Sequence, residues 1–143
     1  MANLDDILLG SNAPVACTID GVTRQISIPD DWKEFGVESD ENVTRIPFIC
    51  PKIVGDNIDL SSFTININYI NAAGFPGVYT VSDLQTSGSN ITFSWLLSRD
   101  VMARAGTVRY IICAKKKNAK QETVNEWNTK IASGNVASGI ETT

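Results

Sequence analysis

Residues 63–70, FTININYI, carry the cleanest pattern in the chain. Phe63, Ile65, Ile67 and Tyr69 alternate with Thr64, Asn66 and Asn68. A period of two marks a strand with one face in a core and the other in water. ITFSWLL (91–97) places Ile91, Phe93, Trp95 and Leu97 inward by the same rule, and TVRYIICA (107–114) places Val108, Tyr110, Ile112 and Ala114 inward. In the second of these, Ile111 and Cys113 leave the opposite face partly apolar as well. VTRIPFICP (43–51) aligns Ile46, Phe48 and Cys50, while Pro47, with no N–H for a ladder, points to a sheet edge or a bulge.

Turn chemistry separates these runs. VACTIDGVTRQISIP (15–29) reads as a hairpin closed by Asp20-Gly21, a pair that tolerates the positive φ of a type I′ turn. NAAGFPG is a turn leading into the strand VYTVSDL, and KKKNAKQETVN is a polar turn before a last strand, EWNTKI. Two short helices are expected. NLDDILL (3–9) sets Leu4, Ile7 and Leu8 on one side, with Asn3 as cap and Gly10 as stop. PDDWKEFG places Pro29 and two aspartates at a helix start and Gly36 at its end. Many short strands turned by Gly, Asn and Asp predict an all-β fold, an antiparallel immunoglobulin-like β-sandwich with one or two short helices. The expected organisation is an N-terminal arm or short helix over 1–14, one sandwich domain over 15–132 and a flexible C-terminal tail over 133–143.

With 143 residues, 43% hydrophobic and 20% charged, the chain is long enough to close a single core. Its formal net charge of −4 argues against nucleic acid or an anionic membrane as partner, because both attract basic surfaces. No apolar run approaches the ~20 residues of a membrane span, and MANLDDILLG lacks the basic start of a signal peptide. Cys17, Cys50 and Cys113 lie far apart inside strand-like runs, which suits reduced, buried thiols and not a disulfide framework or zinc site.

The chain has no histidine, which removes the commonest general base and metal ligand. Its carboxylate pairs, Asp5-Asp6, Asp30-Asp31 and the ESDEN stretch (38–42), sit at helix starts and turns, where capping explains them. GDNID (55–59) lacks the spacing and closing glutamate of a calcium loop and reads as a turn. The basic cluster Lys115–Lys117 reads as a solvated strand edge that discourages strand addition. No catalytic, cofactor-binding or metal-ligating set emerges, and the chain is expected not to be an enzyme.

Three phrases carry a resemblance: CPKIVGDNIDLSSFTININYINAAG (50–74), NITFSWLLSRDVMARAGTVRYIICAKK (90–116) and EWNTKIASGNV (126–136). Their order, over roughly residues 26–140, resembles the N-terminal domain of phage baseplate upper proteins and, more closely, small structural proteins of phages and prophages of Gram-positive bacteria. The resemblance implies a β-sandwich that assembles with other virion proteins, and with copies of itself, into a tail, baseplate or fibre after synthesis in the host cytoplasm. The residues expected to touch partners are Leu4, Ile7, Leu8, Trp32 and Trp127. A carbohydrate-binding sandwich is the alternative expectation, with Trp127 or Trp32 as a stacking platform and Asn66 or Asn68 as hydrogen-bonding groups.

Overall fold

A computed structural model of the chain describes residues 15–140, and the expected arm helix with Leu4, Ile7 and Leu8 lies outside the described residues. Among the described residues the chain forms two facing sheets. Sheet I has the order β2 (Ile26–Ser27), β1 (Cys17–Ile19), β4 (Arg45–Pro51), β10 (Asn90–Leu96) and β9 (Gln85–Ser87). Sheet II has the order β3 (Glu34–Val37), β13 (Ala132–Ala137), β11 (Gly106–Lys117), β7 (Thr64–Ile70) and β8 (Pro76–Thr80), and β12 (Thr123–Asn128) also pairs with β11. A small hairpin of β5 (Ile53–Val54) and β6 (Ile58–Asp59) stands apart, closed by GDNID as a turn, with Gly55 and Asn57 at positive φ. The fold class is all-β, as the alternating runs predict. Its sheets are mixed, since β1 runs parallel to β4 and β3 parallel to β13, whereas the other pairings are antiparallel.

The inward positions read from the sequence form the core. Ile46, Phe48 and Cys50 from β4, Ile65, Ile67 and Tyr69 from β7, Ile91, Phe93 and Trp95 from β10, and Val108, Tyr110, Ile112 and Ala114 from β11 are all buried in one cluster. Trp95 joins the sheets. Its ring, from sheet I, lies 4.9 Å from Tyr110, 5.6 Å from Phe35 and 5.8 Å from Tyr69, all in sheet II. Cys17, Cys50 and Cys113 are free and buried. Burial pushes the Cys17 and Cys50 thiols from 9.0 up to about 12, and burial beside Asp100 pushes the Tyr69 phenol from 10.0 up to about 12.

Several local expectations are corrected. The helix expected from Pro29 to Gly36 is one 3-10 turn, Asp30–Trp32, after which the chain enters β3. Burying Phe35 against Trp95 and Tyr110 requires the strand, and Gly36, at φ +127°, is a strand residue and not a helix stop. The first hairpin has a longer loop than Asp20-Gly21 would close. Ile19 pairs with Ile26, the Asp20 carboxylate accepts from the N–H groups of Val22 and Thr23, and the positive φ falls on Arg24. Strand β4 is interior, not an edge. It tolerates Pro47 because β1 pairs with it only at Phe48 and Ile49, leaving no ladder on that side at position 47. The segment expected to be a loose tail from 133 instead forms β13, with Gly134 and Val136 buried.

Gly134 shows why that segment is small. A Cβ there would sit 2.0 Å from the Phe35 ring, so only glycine lets the two strands and the ring share the space. Gly134→Ala is therefore expected to destabilise the fold by roughly 1–3 kcal/mol, the usual range for overpacking. Trp95→Ala should cost ~3–5 kcal/mol, the range for deleting a buried large aromatic. Urea unfolding measures both, and a cost under about 1 kcal/mol for Trp95→Ala would contradict its place between the sheets.

The thiols give a pH prediction. The raised values keep Cys17 and Cys50 protonated in the folded state while the unfolded chain loses those protons near pH 9. Above that pH the unfolded state binds fewer protons, so stability is fully present below about pH 9 and falls as pH climbs toward 12. Denaturant midpoints measured across that window should decline steadily, and Ellman's reagent at pH 8 should react with these thiols only after unfolding.

Candidate functional site

The outer face of sheet II changes character along its strands. Register fixes four rows of neighbours: Thr64 with Lys115; Thr80, Asn66 and Cys113; Val78, Asn68 and Ile111; and Pro76, Ile70 and Arg109. The first two rows are polar, and the Thr80 hydroxyl donates to the Asn66 side-chain carbonyl at 2.8 Å. In the last two rows Val78, Ile111, Pro76 and Ile70 form an apolar surface. A groove of about 540 Å³ runs along this end, lined by Asn68, Ile70, Pro76, Gly77, Val78, Arg109, Ile111 and Ile131. Val78 is 62% exposed and Ile131 70% exposed, well outside the core. These aliphatics lie side by side on one surface instead of being scattered singly.

Ile131 reaches this face through a bulge. β12 and β13 lie one after the other along the same edge of β11: Asn128 pairs with Cys113 and Ala132 with Tyr110. Between these pairs β11 advances three residues and its partner four, so one residue is extra. Thr129 maintains the ladder, its N–H donating to the Ile112 carbonyl at 3.0 Å and its hydroxyl accepting from the Ile112 N–H at 2.9 Å. Trp127 and Thr129 point inward, Lys130 and Ile131 both point outward, and Ala132 returns to the core. The bulge thus converts a buried position into an exposed isoleucine.

The turn beside the groove is rigidly held. The Asn71 side chain, itself buried, accepts from the N–H groups of Ala73 and Phe75, each at 3.0 Å, and donates to the Asp100 carbonyl at 3.0 Å. The Tyr69 hydroxyl donates to the Asp100 carboxylate at 2.8 Å. Phe75, 65% exposed, is displayed at the tip of this turn.

The residues singled out from sequence are placed differently. Trp127 is only 5% exposed, with the Arg24 guanidinium 5.4 Å above its ring, so it is a core residue under a cation and not a stacking platform or contact residue. Trp32 is half-buried against the core, and its indole N–H donates to the Val15 carbonyl at 2.9 Å. Asn66 and Asn68 do face outward on β7. Lys115 is flanked by Thr64 of β7 and Glu126 of β12, whereas Lys116 and Lys117 run past the end of β7 and pair only with β12, so their other side is an open strand edge. All three line a polar groove of about 500 Å³ with Ser62, Thr64, Asn66, Asn118 and Gln121 at the opposite end of the same face.

One serine on sheet I has charged neighbours. The Ser94 hydroxyl donates to Asp83 and accepts from Arg45 at 2.8 Å, while Asp83 also accepts from the Ser94 N–H at 3.0 Å. Both partners occupy the hydroxyl, which fastens the chain between Val81 and Leu84 against the sheet. The aspartate of GDNID caps a 3-10 turn, its carboxylate accepting from the Ser61 N–H at 2.9 Å and hydroxyl at 2.7 Å. Those bonds hold the Asp59 carboxyl below its ordinary range. Among the described residues no group of three or more cysteines and carboxylates is placed to hold a metal.

The apolar groove is the feature that sequence reasoning missed, apart from the outward Ile111 noted in the strand pattern. A dye such as anilinonaphthalene sulfonate should fluoresce on the native protein. Ile131→Asp should remove most of that signal while leaving the unfolding midpoint nearly unchanged, since the residue packs outside the core.

No protein-family model matches this chain, and no curated protein matches it.

Proposed function

We propose that the chain is a structural module of a phage virion, a tail, baseplate or fibre component that acts as an assembly or connector unit through protein–protein contact. The observation that carries this reading is the apolar end of sheet II, where Ile70, Val78, Ile111 and Ile131 lie together on an exposed face. The three phrases that resemble phage structural proteins supply the virion context, and all three contribute to this face: β7 from the first, β11 from the second and Ile131 from the third. Contact with other virion proteins and self-association both follow from such a face, with no chemistry required of it.

Magnitudes make the test direct. Burying one aliphatic side chain at a contact contributes about 1.5–3 kcal/mol, and about 1.4 kcal/mol is tenfold in affinity. Sedimentation velocity at micromolar concentration should show multimers. Val78→Asp combined with Ile131→Asp should weaken the association by at least about tenfold, with an unaltered thermal midpoint. A chain that is monomeric throughout, with the double variant behaving identically, would remove self-association from the reading.

A further inference from the structure

We propose that the polar groove on sheet II binds an oxyanion, the phosphate or sulfate ester of a sugar or polyol. This site lies at the end of the sheet opposite the apolar groove and does not rest on the assembly reading above. Three observations support it, beginning with charge. On a chain of net charge −4, the groove is lined by Lys115, Lys116 and Lys117 and by no carboxylate. Lys115 meets Glu126 at 3.9 Å, the long end of an ion pair, and among the described residues no ion pair engages Lys116 or Lys117. Cations gathered in one recess focus a positive field there, and lysine ammonium groups bind phosphate as point charges.

A preformed shape is the second. The recess exists because β11 outruns β7. Strand β7 begins at Thr64, opposite Lys115, so Lys116 and Lys117 extend beyond it with only β12 alongside. The 3-10 turn Leu60–Ser62 brings Ser62 to that gap. The turn after β11 supplies Asn118 and Gln121, and Asn118 fixes it. Its side-chain carbonyl accepts from the N–H groups of Lys120 and Glu122 at 2.9 and 3.0 Å, and its backbone carbonyl accepts from the Gln121 N–H at 3.0 Å. The Glu122 carboxylate, held by the Asn118 amide at 3.3 Å, does not line the groove. Little ordering is then left for binding to impose.

The neutral part of the lining is the third. Ser62 and Thr64 bring hydroxyls, and Gln121 an amide. The Asn66 side-chain carbonyl is taken by the Thr80 hydroxyl at 2.8 Å, which leaves its NH₂ group to donate. Such groups match the hydroxyls of a sugar or polyol beside its charged ester. No aromatic or aliphatic side chain lines this groove, so neither base stacking nor burial of an acyl chain has a surface to act on. Its volume of about 500 Å³ is within the size range of small-molecule sites.

The test records backbone amide shifts of the isotopically labelled full chain, at low salt, against glucose-6-phosphate, inorganic phosphate and glucose. The expected result is saturable shifts confined to Thr64, Asn66 and residues 115–121. Glucose-6-phosphate should bind at least about tenfold tighter than inorganic phosphate, and glucose should not bind. Lys115→Gln with Lys117→Gln should weaken glucose-6-phosphate by about tenfold or more, with an unaltered thermal midpoint, whereas Lys130→Gln, outside the groove, should change nothing. Absent shifts, or shifts spread evenly over the other lysines, would overturn the site. Equal binding of inorganic phosphate and its sugar ester would overturn the assignment to an ester, and glucose binding as tightly as the ester would overturn the role of charge. None of these results alters the multimers seen by sedimentation, so failure of this site and failure of the assembly reading are told apart.

Discussion

The contact between Trp95 and Tyr110 holds the two sheets in one arrangement. Trp95 projects from β10 of sheet I into a space walled by Tyr110, Phe35 and Tyr69, which come from three different strands of sheet II. Aromatic pairs at these separations favour edge-to-face geometry, and the Trp95–Phe35 pair, with planes 85° apart, meets it closely. The sheets therefore cannot slide past one another without breaking several ring contacts at once. Around that fixed point the remaining aliphatic positions pack, and Phe48 stacks on Phe93 within sheet I at 5.4 Å.

Because the inner faces are committed to this packing, the outer faces are where the surface acquires its character. On sheet II the outward residues change along each strand: Thr64, Asn66, Asn68 and Ile70 along β7, and Lys115, Cys113 and Ile111 along β11 before the charged Arg109. Register brings Thr64 and Lys115 together at one end and sets the aliphatic members, with Arg109 beside them, at the other. A slip of one residue would turn core positions outward, so the core and the groove are set by one and the same alignment.

Alternation was legible wherever side chains were large. Phe63, Ile65, Ile67 and Tyr69, or Ile91, Phe93, Trp95 and Leu97, announce their inner face without reference to any other strand. Strand direction is not encoded that way, and the parallel pairs β1–β4 and β3–β13 depend on where long connections return. β13 was unreadable because Ala132, Gly134 and Val136 alternate with residues almost as small, and Gly134 has its meaning only from the Phe35 ring. The helix expected after Pro29 rested on sound punctuation, but Phe35 gains more from a wall of aromatics than from a second helical turn. Trp127 has polar neighbours in sequence and is covered by Arg24, which arrives from the far end of the chain. Lys130 and Ile131 both face outward, so the bulge breaks the period that would have revealed it. The groove joins β7, β8, β11 and this bulge, and no single stretch contains it.

The pairing of β3 with β13 has a consequence for how the protein is made. Its members lie far apart in the chain, as the Asn135 to Glu34 contact across 101 residues shows. Phe35 is translated well before β13, the strand that seals it. Non-local closure of this kind is slow, and until it happens Phe35 and Trp95 present exposed rings to whatever surrounds the nascent chain. Between the synthesis of residue 35 and that of residue 137 the unsealed rings leave the nascent chain open to aggregation, a hazard that grows with the number of copies made at once.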